Sequence, residues 1–331
     1  MAFRVALVGL GMAVTPHARS LLDLRDRVEV AYAFSPSAQR RSEFGKRFPF
    51  PQCDRLETIL EDASVQAVLL LTPPNTHLEL VSRFAAAGKH ILLEKPLDVS
   101  TARAEELVRK AAGVKLAMVL QHRFRPAAEA LQKNLPRLGK IVSASAHIPV
   151  WRPQSYYDQP GRGTRARDGG GVLLTQGIHT LDLLLSFAGE AAEVSGFSTT
   201  TPVHRMETED LVSAAVRWKN GALGVVQATT AAYPGFAERI DLIGTRGTAT
   251  LEGTALQARF TDGSLIDVKT EAGGGGTGAD PMAFPHDWHR GVLADFLDAI
   301  DRNREPRVNG AEALKVHRFI DSLLRNPRSG G

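Results

Sequence analysis

Short runs of aliphatic and β-branched residues recur through the first 120 positions, at Arg4 to Val8, Val28 to Ala33, Ala67 to Leu71, His90 to Leu93 and Lys115 to Val119. Between them lie stretches of helical character: Ala13 to Leu24, Ala38 to Phe48, Leu56 to Glu61, Thr76 to Ala87 and Thr101 to Ala111. Strand and helix in regular alternation predict a doubly wound α/β fold, a parallel sheet covered on both faces, because each crossover is right-handed and short. Ligands of such sheets bind beyond the carboxyl ends of the strands.

After Gln121 the pattern changes. A helical stretch, Ala127 to Leu135, leads to an apolar run, Ile141 to Val150, and then to Trp151 to Gly171, rich in glycine, tyrosine and arginine. Long irregular segments of this kind are commonly binding loops. Gly169-Gly170-Gly171 opens an apolar helix, Val172 to Leu184, whose Thr175, His179 and Asp182 follow at helical spacing and so share one face. Beyond Glu190 the chain is strand-rich: Glu193 to Thr199, Leu211 to Trp218, Leu223 to Thr230, Glu238 to Gly244, Thr248 to Leu251, Leu256 to Phe260 and Leu265 to Val268. Asn220-Gly221, Asp262-Gly263 and Arg246-Gly247 read as hairpin turns, which makes this sheet antiparallel. One face of Val212 to Trp218 is less polar than a solvated sheet needs, so a symmetric oligomer through this sheet is expected. Glu271 to Asp280, containing the glycines 273–276, reads as a mobile loop, and the helices Asp287 to Asp301 and Ala311 to Leu324 close the chain.

Length and composition narrow the class. A chain of 331 residues exceeds the size at which one core stops growing, and the change of pattern divides it into residues 1–120 and 121–331. No apolar run is long enough to span a bilayer, and no export signal is evident, so a cytoplasmic location is expected. The single cysteine, Cys53, has no disulfide partner and reads as an inert loop thiol. A net charge of +4, not gathered in one block, fits small anionic ligands better than nucleic acid.

The candidate chemistry lies at strand ends. Gly9-Leu10-Gly11-Met12-Ala13-Val14 follows the first strand and precedes a helix: Gly9 suits a tight turn, and Gly11 lets a pyrophosphate approach the backbone at the helix N-terminus. Val14 stands where the fingerprint has its third glycine. At the end of the second strand no carboxylate awaits a ribose; Ser35 and Ser37 stand there instead, with Arg40 and Arg41 beyond, which favours NADP(H) over NAD. Thr72-Pro73-Pro74-Asn75-Thr76-His77 closes the third strand, where Asn75 or Thr76 can cap the next helix, and Thr72, Pro73, Asn75 and His77 are counted with the coenzyme site. Glu94-Lys95-Pro96 closes the fourth, which places Lys95 at the crevice, and Glu94 and Lys95 are also counted with the coenzyme site. His286 and His289, three apart, could share a metal on a helical turn, but no third ligand is evident and no metal is expected.

Taken in order, the glycine turn with His17 beyond it, Asn75-Thr76-His77, Glu94-Lys95-Pro96, the triple-glycine helix start and Gly177-Ile178-His179-Thr180-Leu181-Asp182 resemble the glucose-fructose oxidoreductase and inositol dehydrogenase (Gfo/Idh/MocA) family over nearly the whole chain. The resemblance implies an N-terminal Rossmann domain, a C-terminal α/β domain with a mostly antiparallel open sheet, a nicotinamide cofactor and a sugar, cyclitol or related polyol. It also implies that Lys95 and His179 are catalytic, with Thr175 where many members carry an aspartate. In that mechanism His179 takes the hydroxyl proton and Lys95 stabilises the alkoxide as hydride leaves. Trp151, Arg152, Tyr156, Tyr157, Arg162, Arg165 and Arg167 of the long loop suggest an acidic or nucleotide-linked sugar, while Arg123 and Arg125 are expected either to approach the substrate or to pack the domain junction. A nicotinamide-binding sensor and an NAD-assisted glycosidase are the competing functions.

Overall fold

The computed structural model describes residues 2–269 and 285–325. These divide into two compact units, one of residues up to 121 together with 285–314, the other of residues 122–269 together with 315–325. The glycine-rich segment 273–276 lies outside the described residues.

The first unit holds a six-stranded sheet of β1 (Phe3–Val8), β2 (Val28–Phe34), β3 (Gln52–Cys53), β4 (Ala67–Leu70), β5 (His90–Leu93) and β6 (Leu116–Met118), in the order β3-β2-β1-β4-β5-β6 with every pair parallel. The crossovers carry α1 (Val14–Asp23), α2 (Ala38–Gly45), α3 (Leu56–Glu61), α4 (His77–Ala86) and α5 (Thr101–Lys110). β4 is buried at every position and β1 at its last four, as strands covered on both faces must be. The strand order reverses between β1 and β4, so the crevice beyond their carboxyl ends is where this architecture takes ligands. β3 is too short to carry a periodic signal, and it places Cys53 at a sheet edge, where burial pushes the thiol pKa up.

The second unit begins with α6 (Pro126–Asn134), and its eight-stranded sheet is built from β7 (Ile141–Pro149), β8 (Ala191–Thr199), β9 (Leu211–Trp218), β10 (Leu223–Thr229), β11 (Arg239–Gly244), β12 (Gly247–Glu252), β13 (Ala255–Phe260) and β14 (Leu265–Val268). Its order is β14-β13-β12-β11-β7-β10-β9-β8, antiparallel throughout except where β10 runs parallel to the central β7. Two helices, α7 (Gln154–Tyr157) and α8 (Ile178–Ala188), lie between β7 and β8. β9 alternates without a break, Val212, Ala214, Val216 and Trp218 inward, which marks a sheet with one covered face. Gly221 and Gly263, at φ +86° and +83°, make the expected hairpins. The turn after β11 is Thr245-Arg246, because Gly244 pairs with Gly247, and Gly253 at φ +56° supplies a further hairpin that the sequence reading passes over.

The chain ends in α9 (Asp287–Asp301) and α10 (Gly310–Leu324). α9 packs on α1 and belongs to the first unit, whereas the sequence reading placed everything after residue 120 in the second. Its apolar face, with Trp288, Val292, Phe296 and Leu297 buried, shows that it needs a partner but carries no mark of which sheet supplies it.

Candidate active site

In the first unit the glycine turn forms as expected. Gly9 has φ +107°, and a Cβ there would meet the backbone of Leu71 at 2.8 Å. A Cβ on Gly11 would meet nothing within 4 Å, so the space above that residue is open. Met12 is half-exposed and Ala13 is the N-cap of α1, which has neither a side-chain cap nor an acidic residue in its first turn. In the first turn Val14 N–H bonds the Gly11 carbonyl and Pro16 has no N–H, so the helix offers chiefly the positive end of its dipole beside open space, a surface that fits the pyrophosphate of a dinucleotide. Thr72 lies against Gly9, with its hydroxyl accepting from Thr76, and Pro73 and Asn75 are exposed beside it.

His77 is a correction. It is fully buried, with its ring nitrogens facing the carbonyls of Thr72, Pro96 and Leu97 at 2.9 to 3.1 Å, and burial pushes its pKa down. It ties the turn after β5 to the turn after β4 and offers no surface to a coenzyme. Neither Asn75 nor Thr76 caps α4; Asp98 does so by accepting from Leu78 N–H, and its other oxygen takes Arg103. The serines after β2 also serve the backbone. Buried Ser35 accepts from Ser37 N–H, Ser37 caps α2 through Arg40 N–H, and Arg41 donates to the Ser35 carbonyl, which leaves exposed Arg40 as the cation of that loop whose side chain faces solvent.

Lys95 follows β5 directly and is partly exposed. The residue before it explains how it is held: Glu94 takes Lys95 N–H on Oε2 at 3.0 Å and meets His17 Nε2 on Oε1 at 2.7 Å. Burial opposes the Glu94 charge, yet His17 holds its pKa below the ordinary carboxylate range. His17 packs edge-on against His289, ring centroids 5.0 Å apart. The two histidines of α9 thus part company, since His286 bonds Asp23 while His289 joins His17 and Glu94, whose ligand atoms lie within 4.8 Å of one another. Glu94 and His17 already satisfy one another directly.

Burial pushes the His289 pKa down to about 3. The unfolded chain therefore binds a proton near pH 6.5 that the folded chain refuses, so the contribution is fully present above that pH and is lost as pH falls towards 3. His289→Leu is expected to remove about 2 kcal/mol of the destabilisation between pH 8 and pH 5, read as a flattened acid limb in urea unfolding of the two proteins.

In the second unit the triple glycine opens its helix for a steric reason: a Cβ on Gly171 would lie 1.8 Å from the Glu209 carbonyl oxygen. The Glu209 carboxylate in turn accepts from the N–H groups of Gly171 and Leu173. Residues Leu173–Gly177 then form a π-helical turn that runs directly into α8, so the helix expected from Val172 forms, with its first part wound more loosely than an α-helix. Thr175 lies in that turn with its hydroxyl bonded to the Gly171 carbonyl and to Gln176, whereas His179 and Asp182 lie in α8. The three polar groups of the expected stripe thus take different partners. Asp182 takes Arg123 bidentately, both bonds 2.7 Å, which makes the arginine structural as well as polar. His179 is buried and stacks on His122, centroids 4.7 Å apart and planes at 30°. His122, Arg125 and Glu238 form a connected buried group beside it, which the sequence reading missed apart from Arg125. The adjacency Gln121-His122-Arg123 after the last parallel strand was the available signal.

Within the loop before the helix, Tyr157 is buried on Thr230, Tyr156 lies under Arg162 at 5.0 Å, and Arg165 is exposed with Glu207 beside it. Arg162 and Arg167 both approach Asp168. No helix among the described residues is long and apolar enough to cross a membrane.

Fold and strand-end geometry are those of a dinucleotide-binding Rossmann protein. Residues 3–122 match the oxidoreductase family with an NAD-binding Rossmann fold and residues 124–250 the GFO/IDH/MocA C-terminal domain, and the chain belongs to the GFO/IDH/MocA oxidoreductase family. It is 27% identical over 256 residues to myo-inositol 2-dehydrogenase of Thermotoga maritima, covering 74% of this chain and 73% of that one. It is 24% identical over 349 residues to inositol 2-dehydrogenase of Rhizobium meliloti, covering 98% and 97%. Among solved structures it is similar to the WlbA dehydrogenase of Bordetella pertussis in complex with NADH and UDP-GlcNAcA, at TM-score 0.84 and 25% identity, covering 100% of this chain and 98% of that one.

Proposed function

We propose that the chain is a dehydrogenase that moves hydride between a nicotinamide coenzyme and a carbinol carbon of a sugar, sugar derivative or cyclitol. The observation that carries the reading is Lys95, held by its own backbone at the carboxyl end of β5 in a family of NAD-binding oxidoreductases. Gly9, Gly11, Met12, Ala13, Thr72, Pro73 and Asn75 would hold the coenzyme, which when bound supplies the hydride acceptor or donor. His179 accepts the proton of the substrate hydroxyl, and the Lys95 ammonium stabilises the charge that develops on that oxygen. Thr175 cannot hold a negative charge, so Lys95 carries more of the electrostatic work than in a site with an aspartate there.

The finer assignments follow the same residues. NADP(H) is preferred, because exposed Arg40 suits a 2′-phosphate and no carboxylate stands after β2 to repel it. The substrate is an acidic or nucleotide-linked sugar, which Arg165 and Tyr156 of the loop suit; the WlbA structure was solved with a nucleotide-linked sugar acid. The chain forms a homo-oligomer through the open face of its large sheet, where Leu223, Val225 and Ile243 are exposed around Ser143. Sedimentation of Val225→Glu beside the parent checks that contact, since a face of this kind loses its partner when a charge is added. The catalytic reading is tested by following coenzyme reduction with polyols, sugar acids and nucleotide sugars, each with NAD and NADP. Steady reduction with a sugar acid or nucleotide sugar is expected. Binding without turnover points to a sensor, release of a leaving group without net reduction to a glycosidase, and better turnover of neutral polyols overturns the substrate class.

A further inference from the structure

We propose that His122 is a positioning residue for His179: a neutral imidazole, fixed in one tautomer by Arg125, forms the plate against which the His179 ring lies. The inference rests on the reading of His179 as the acid/base group and adds the group that orients it.

The tautomer follows from donor counting. A guanidinium only donates, and Arg125 Nη2 lies 2.5 Å from His122 Nε2, so that nitrogen accepts with its lone pair and the ring hydrogen sits on Nδ1. Nδ1 is 3.8 Å from Glu238 Oε1, beyond a hydrogen bond but near a carboxylate. Arg125 is itself fixed, donating to Glu238 Oε1 at 2.5 Å and to the Gly253 carbonyl at 3.0 Å, with both members of the ion pair buried. A proton added to His122 has only Nε2 to occupy, where it would displace the arginine donor and set a second cation against the first. Arg123, next to His122 in the chain, and Asp182, one turn on from His179, neutralise one another. His122 therefore stays neutral while its surroundings titrate.

A neutral plate has two consequences for His179. Stacked at 4.7 Å, the ring cannot swing about its χ2 without losing that contact, so the lone pair that takes a proton keeps its direction. Nor does a neighbouring imidazolium on this face repel the charge His179 acquires when it accepts a proton. The donors and acceptors doing this come from three places in the second unit, Arg125 at the start of α6, Glu238 before β11 and Gly253 in the hairpin after β12, so they are legible only after folding.

The test uses the full chain with isotopically labelled histidine rings, observed by long-range hydrogen–nitrogen correlation spectra, with His122→Phe and His179→Gln assigning the signals. His122 is expected to show the Nδ1–H pattern, unchanged between about pH 5.5 and 8.5, the range over which free histidines titrate. His122→Ala is expected to lower kcat about tenfold with coenzyme Kd unchanged, and His122→Phe, which keeps a flat ring, to stay within about threefold of the parent. An Nε2–H tautomer, titration of His122 within that window, or equal kcat for the alanine and phenylalanine proteins would overturn the proposal. The spectra need no substrate, and the phenylalanine and glutamine proteins carry the assignment, so the tautomer is decided even where His122→Ala fails to fold. A His179→Ala protein that keeps its turnover sinks the acid/base reading instead, and the two failures are told apart.

Discussion

Lys95→Ala is expected to cut turnover by about a thousandfold or more while coenzyme affinity stays within about twofold. The size follows from where the charge acts. An ammonium aimed at an oxygen that becomes an alkoxide stabilises the transition state far more than the ground state. The coenzyme side should be spared because the lysine's place depends on its backbone: Lys95 N–H is held by Glu94, Glu94 by His17, and the following turn by His77, none of which needs the side chain removed. Steady-state rates with the substrate found in the screen, beside fluorescence titration with reduced coenzyme, read the two effects separately. Turnover within tenfold of the parent would end the assignment of Lys95. His179→Ala should lose about as much, and the double variant little more than either alone, since two groups serving one proton and one charge act as a unit.

Gly9→Ala and Gly11→Ala, one methyl group each and two residues apart, are expected to fail in opposite ways. At Gly9 the backbone has φ +107°, and the new Cβ would lie 2.8 Å from the main chain of Leu71, which directly follows the buried β4 and cannot easily retreat. A loss of about 3 kcal/mol or more is expected from strain and overpacking together, read as a lowered urea midpoint without any ligand. At Gly11 the methyl group meets nothing, so unfolding should match the parent. The same methyl group would stand where a pyrophosphate approaches the backbone, and coenzyme affinity is expected to fall about tenfold or more. Unchanged coenzyme binding in Gly11→Ala would remove the dinucleotide from this turn.

How much was readable along the chain depended on whether the deciding forces are local. Five of the six strands of the first sheet and all its helices follow from runs of apolar residues, because burial on two faces leaves a continuous signature that no turn imitates. β3 has only two residues and no such signature. The turn at Gly9 was legible because only glycine tolerates that backbone. His77 and Ser35 were misassigned for a common reason: polar residues at a strand end look alike whether they face a ligand or their own backbone, and only coordinates show the carbonyls around His77 or the Ser37 N–H on Ser35. The helix bearing His179 was foreseen in place but not in register, since the π-helical turn is stabilised partly by Glu209, more than thirty residues further on.

By itself, then, the amino-acid sequence determined the two kinds of sheet, the glycine turn, the lysine at a strand end and the family in which they occur, all consequences of hydrophobic period and backbone tolerance acting over a few residues. The tertiary structure decided which unit claims α9, which polar groups are spent on the backbone, and which neighbours stand beside Lys95 and His179. Those outcomes depend on hydrogen bonds and buried charges between residues as far apart as His17 and Glu94 or Arg125 and Glu238, whose partners no local pattern specifies.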